Sequence, residues 1–185
     1  MKTLKILLLV LSIFLFTDSA LKNQPIDPAT IKYVLENHTL DSVNYETKGD
    51  LYDFMHVIGK KESGGNYKIV NRYGCLGKYQ FCSLRNVPEA KSATHFLNNP
   101  DIQDRAMVSL LKRNKNYLQP YIDEYAGNLL IDGVIITESG ILAGAHLAGP
   151  GGVERYLKYG KNGKDAFGTS VTYYMKKFSG YKLEL

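Results

Sequence analysis

Beyond residue 50, apolar and polar positions recur mostly at helical spacing. Leu51, Phe54, Met55 and Ile58 fall at i, i+3, i+4 and i+7, which predicts an amphipathic helix that opens at Asp50 and stops at Gly64-Gly65. From Asn66 to Cys82 glycine and tyrosine dominate. Tyr67, Ile69 and Leu76 to Phe81 alternate as in a strand, so a compact loop or small hairpin is expected there. Asn99-Pro100-Asp101 opens the clearest long helix, with Ile102, Ala106, Leu110 and Leu111 roughly on one side as far as Tyr117; a separate helix is expected over 121–130. Thr137 to His146 is small and apolar, as for a helix packed closely on all sides. Gly149-Pro150-Gly151-Gly152 breaks it, Val153 to Tyr159 resumes, and Thr169 to Phe178 is a last helix. One minor β element and no internal repeat predict a predominantly helical α+β globule.

The first fifty residues read differently. Lys2 and Lys5 precede an apolar run of 11 residues, Ile6 to Phe16, and a polar exit ends at Ala20. A run of that length suits a signal peptide over 1–20 and falls short of the ~20 residues needed to span a bilayer. Asp18 sits where a small residue is usual, so the cut after Ser19 or Ala20 stays open, as does an uncleaved membrane anchor. Residues 21–49 read as a short helix, capped by Asp27 with Pro28 in its first turn, and a polar connector; the main domain then runs over 50–185. The address implies a periplasmic or extracellular protein.

Length and charge narrow the function. A chain of 185 residues favours one core, and 44% hydrophobic with 22% charged residues excludes wholesale disorder. Net charge is +5; removing residues 1–20 takes away two lysines and one aspartate and leaves +4. An exported basic protein is a poor match for nucleic acid and a better one for an anionic envelope polymer. The four histidines (His38, His56, His95, His146) show no metal-ligand spacing, so no metal or other cofactor is expected.

The informative residue is Glu62. Four, seven and eleven positions back stand Ile58, Met55 and Leu51, so Glu62 continues the apolar stripe. A carboxyl group turned inward loses hydration, which disfavours its charged form, and the negative end of the helix dipole acts the same way. An acid kept neutral can protonate a leaving oxygen, as glycosidic cleavage requires. The alternative is that Gly64-Gly65 frays the helix end and Glu62 points to water.

Glu62-Ser63-Gly64-Gly65, Tyr73-Gly74, Gly77-Lys78-Tyr79-Gln80-Phe81 and Ala145-His146-Leu147-Ala148-Gly149 occur in that order. Together they resemble the soluble lytic transglycosylase branch of the lysozyme-like superfamily, over roughly residues 50–181. Gly163 to Tyr181, with Phe167-Gly168-Thr169-Ser170 and Tyr173-Tyr174-Met175, also looks like the tail of exported and phage-type members. The resemblance implies a lysozyme-like fold with Glu62 as catalytic acid and base, Ser63 supporting the site and Gln80 lining the sugar groove. It further implies that peptidoglycan glycan strands are cut between N-acetylmuramic acid and N-acetylglucosamine to a 1,6-anhydro product, by a monomer without a cofactor. Ala145-His146-Leu147 departs from the family's Ala-Tyr-Asn. His146 either supplies the missing polar contact or is a hydrogen-bonded core histidine. Two rival functions are a hydrolytic muramidase on the same fold and a non-catalytic wall-binding or assembly protein.

Other residues have plainer readings. Glu138-Ser139-Gly140 repeats the Glu-Ser pair, but Glu138 opens a helix, where a carboxylate meets the positive dipole end. Asp101 and Asp104 share that explanation. Among 14 tyrosines, Tyr73, Tyr79, Tyr173 and Tyr174 lie near the groove segments, and Tyr79 and Tyr173 are the best candidates to stack on sugar rings. Cys75 and Cys82 bracket Gly77 to Phe81; in an exported chain such a pair suggests a disulfide holding Gln80, with two free buried thiols as the alternative.

Overall fold

The structure is a computed structural model that describes residues 47–127 and 135–185. The expected signal peptide, the 27–36 helix and most of the connector lie outside the described residues. Within them the protein is predominantly helical: α1 (Leu51–Ser63), α2 (Ala93–Leu97), α3 (Pro100–Tyr125), α4 (Glu138–Ala148), α5 (Pro150–Tyr159) and α6 (Val171–Lys177). The expected β element consists of isolated bridges, Val70 with Leu76 and Leu76 with Phe81, without a regular strand among the described residues.

Both ends of α1 are closed. The Asp50 side chain accepts from the Tyr52 and Asp53 amides while the Asp53 carboxylate takes the Asp50 amide, a complete capping box. At the other end the Gly64 amide reaches the Lys60 carbonyl and the Gly65 amide the Gly59 carbonyl, with Gly64 left-handed at φ 68°. That pair of bonds terminates the helix cleanly. The frayed-end alternative for Glu62 is therefore not what the chain does.

The remaining boundaries correct three expectations. The long helix does not stop at Tyr117: α3 continues through Pro120 to Tyr125, where Ala126 ends it, so the start of the separate helix expected over 121–130 belongs to α3. Proline removes one helical hydrogen bond. Here Pro120 and Asn116, whose carbonyl loses its partner, both face solvent, while Leu118 and Ile122 on either side are buried. Burial along one stripe holds the helix together across the proline. In the segment expected to break at Gly149-Pro150-Gly151-Gly152, only Gly149 breaks, and Pro150 occupies the first turn of α5. The short helix α2, capped by Ser92 accepting from the His95 amide, was not anticipated from the pattern.

The core explains why α4 is apolar all round. One cluster joins Phe54, Met55 and Ile58 of α1 to Tyr79, Phe81 and Phe96, to Met107 and Leu111 of α3, and to Leu142, Tyr174 and Phe178. A second joins Leu118 and Ile122 to Ile141, Ala145, Val153, Val171 and Met175. Helices α3, α4 and α6 thus each contribute to both, with α4 between them. The chain beyond α6 returns to the start of α1, where Lys48 and Lys182 amides bond the Gly180 and Gly49 carbonyls.

Candidate active site

Glu62 lies one residue before the end of α1 with its side chain 18% exposed. Two other helices reach its carboxylate. Tyr174 of α6, 112 positions along the chain, donates its hydroxyl to Glu62 Oε1 at 2.5 Å. His146 of α4 places Nε2 at 3.8 Å from the same oxygen, its side chain only 8% exposed. Glu62 Oε2 accepts no hydrogen bond from any described residue. The carboxyl group is thus anchored by one oxygen and open at the other.

The two partners are themselves pre-set. Burial, then the Glu62 charge and hydrogen bond, push the Tyr174 phenol well above its ordinary range, so it stays a donor. Burial pushes the His146 imidazole below its ordinary value; the Glu62 charge and a backbone hydrogen bond with Tyr79 oppose this and do not overcome it. His146 is accordingly a neutral side chain at neutral pH, and its Nδ1 has no partner among the described residues. Of the two readings offered by the sequence, it is a buried histidine that also faces the carboxylate.

The floor beside Glu62 is the Gly77–Gln80 turn, clamped from three sides. The Leu76 and Phe81 backbones exchange two hydrogen bonds at 2.9 Å across its base. Ser63 donates its hydroxyl to the Lys78 carbonyl at 2.8 Å and accepts from the Asn66 amide, tying the end of α1 to the turn. Fully buried Gln103 of α3 accepts from the Lys78 amide at 2.9 Å and donates to the Tyr67 and Phe96 carbonyls. Gly77 sits directly over it at φ 70°; a Cβ there would lie 2.0 Å from Gln103 Oε1. Cys75 and Cys82 form a disulfide around the same turn and are not free thiols.

Gln80 is a non-glycine residue at φ 53°, a left-handed conformation that such residues seldom adopt. Its Nε2 donates to the Gly77 carbonyl at 2.8 Å, so the side chain folds over its own turn while remaining partly exposed. Ser63 acts through the backbone of the turn and has its hydroxyl committed. Tyr79 corrects the sequence reading. Its ring is fully buried and its hydroxyl donates to Asp104 at 2.6 Å, so it stacks on nothing outside the fold. Asp104 also accepts from Tyr67 and lies 3.6 Å from the Lys78 ammonium; it anchors the turn to α3, more than a helix-start residue would. Tyr173 is 45% exposed and flanks the site with Lys61 and Lys177 against its ring.

Tyr174, and not its neighbour Tyr173, is the tyrosine that meets Glu62. Its position was recoverable: it shares a helical face with Val171 and Phe178, both buried, whereas Tyr173 shares one with exposed Lys177. Glu138, the other Glu-Ser glutamate, stands in the first turn of α4 and pairs with Lys115 at 2.8 Å. Among the described residues no second carboxylate bonds into the Glu62 cluster. Asp165 acts on Tyr174 through its charge, and its Oδ1 is taken by the Phe167 and Thr169 amides. Compared with family models, with curated proteins and with solved structures, the chain matches none.

Proposed function

We propose that this protein is a peptidoglycan lytic transglycosylase with a lysozyme-like fold, exported through residues 1–20 and acting outside the cytoplasm. The observation that carries the reading is the Glu62 carboxyl group, drawn inward at a capped helix end and held at Oε1 by Tyr174, with no hydrogen bond to Oε2 among the described residues. Tyr174 fixes which oxygen does the work. Oε2 carries the proton and gives it to the glycosidic oxygen between N-acetylmuramic acid and N-acetylglucosamine as the C1–O bond breaks. The Glu62 carboxylate left behind, stabilised by the Tyr174 hydroxyl, takes the proton of the muramyl C6 hydroxyl. That oxygen closes on C1, giving the 1,6-anhydro end and restoring the acid.

One carboxyl group suffices for this sequence because the nucleophile belongs to the substrate. Hydrolysis of a glycoside usually employs two carboxyl groups at a set separation. The cluster offers Glu62 with a phenol and a neutral imidazole, which favours the internal nucleophile over water. The turn around Gln80, pinned by Ser63, Gln103 and the disulfide, supplies a rigid edge for the sugar next to the bond cut.

The test is the mass of fragments released from purified peptidoglycan. Muramyl ends lighter by one water support the transglycosylase, full-mass reducing ends mean a muramidase, and no released fragment means a non-catalytic binder.

A further inference from the structure

The surface beside Glu62 carries charge that this chemistry does not use. Lys61 Nζ and Lys177 Nζ lie 5.9 and 5.6 Å from the centroid of the exposed Tyr173 ring. Lys61, Lys164, Phe167, Thr169 and Tyr173 line an open depression of about 380 Å³. On its far side the Arg72 guanidinium lies 4.8 Å from the Tyr73 ring centroid and 5.0 Å from that of Phe167, and those two exposed rings meet edge to face at 5.3 Å. Cations and aromatic faces thus alternate along one wall, from Lys177 and Lys61 on Tyr173 to Phe167 and Arg72 on Tyr73.

Among the described residues Lys61, Arg72, Lys164 and Lys177 have no carboxylate within 4.0 Å, as is true of most exposed cations of the fold, and two of them donate to phenols instead, Arg72 to Tyr73 and Lys177 to Tyr173. The acidic groups near this wall are Glu62, turned towards Tyr174, and Asp165, whose Oδ1 is taken by two amides of its own loop. A neutral sugar chain would use the rings and gain nothing from the four cations.

We propose that this wall is a subsite for carboxylate groups of the substrate, namely those of the acidic peptide borne on the lactyl ether of the muramyl residue being cut. The inference rests on the function proposed above and adds its specificity. Reach favours the peptide over a separate phosphate polymer, since it hangs from the reacting sugar, and the Tyr173 ring under Lys61 lies 6.1 Å from the ring of Tyr174, which holds Glu62. The rings between the cations suit a chain that alternates apolar side chains with carboxylates.

Calorimetric titration of the full chain with a soluble muramyl peptide, in its free-acid and its carboxamide form, tests the subsite without requiring turnover. The wild type is expected to bind the acid form about tenfold more tightly, and a Lys61→Gln/Lys164→Gln variant to bind both forms equally. A Lys91→Gln/Lys112→Gln variant, with the same loss of charge elsewhere, should keep the preference. Equal binding of both forms by the wild type overturns the proposal, as does a preference that survives the Lys61/Lys164 change. So does a phosphate polymer that displaces the peptide at equal charge concentration. The two readings separate cleanly: preference without any fragment release from peptidoglycan overturns the enzyme and supports the subsite, whereas release without preference overturns the subsite alone.

Discussion

Glu62-Ser63-Gly64 and Glu138-Ser139-Gly140 are the same three residues at opposite ends of helices. At the C-terminal end of α1, Glu62 faces the negative pole of its helix and is met by a phenol from α6. At the N-terminal end of α4, Glu138 faces the positive pole and is neutralised by Lys115. The serines diverge too: Ser63 donates to the Lys78 carbonyl, and Ser139 accepts from the Tyr181 amide. One tripeptide brings its carboxyl group to a cluster of three helices, the other pairs it with a lysine. Position along the helix, not residue type, decides what meets each carboxyl group.

The sharpest way to break that contrast is to neutralise each glutamate in turn. Glu62→Gln should lower fragment release from peptidoglycan by about 10²–10⁴-fold, while Glu138→Gln leaves the rate unchanged; equal losses would erase the distinction. Tyr174→Phe removes the donor on Oε1. A hydrogen bond to a charged group contributes about 1.5–3 kcal/mol, so kcat should fall roughly 10–100-fold with an unaltered circular dichroism spectrum, and Lys115→Met should leave kcat alone.

The serines sharpen the comparison further. Ser63→Ala and Ser139→Ala each strand a partner and should each cost about 1–3 kcal/mol in denaturant unfolding, but only Ser63→Ala should also lower kcat, because only Ser63 holds the turn beside the acid. Reducing Cys75–Cys82 opens a short loop worth about 2 kcal/mol in the chain-entropy account, and should slow release before it unfolds the domain.

The smallest effect is the pH dependence of His146. Its imidazole is held below the ordinary 6.5 in the fold, so the unfolded chain binds the proton more readily. Stability should therefore fall as pH drops below about 6.5 and level off below the folded value. His146→Gln should flatten that part of the curve of unfolding midpoint against pH.

Much of this was written in local periodicity. The burial of Met55 and Ile58 behind Glu62 follows from helical spacing, and the Asp50 and Gly64 caps follow from residue type. What the pattern missed depends on distant partners. Tyr79 reads as a groove tyrosine until Asp104, 25 positions on, takes its hydroxyl and α3 covers its ring. Tyr117 reads as the helix end until Leu118 and Ile122, on either side of Pro120, find the same core. Adjacent Tyr173 and Tyr174 are alike in composition and differ only in which face of α6 they occupy. The left-handed Gln80 has no signature at all, since its neighbours fix the turn and the residue follows.

The central claim is that Glu62 alone moves the proton while the substrate supplies the attacking oxygen. Digestion of purified peptidoglycan in water enriched in oxygen-18 examines it directly. The account requires muramyl ends that carry no heavy oxygen, released by the wild type and not by Glu62→Gln. Heavy oxygen at C1, or undiminished release by the variant, would contradict it.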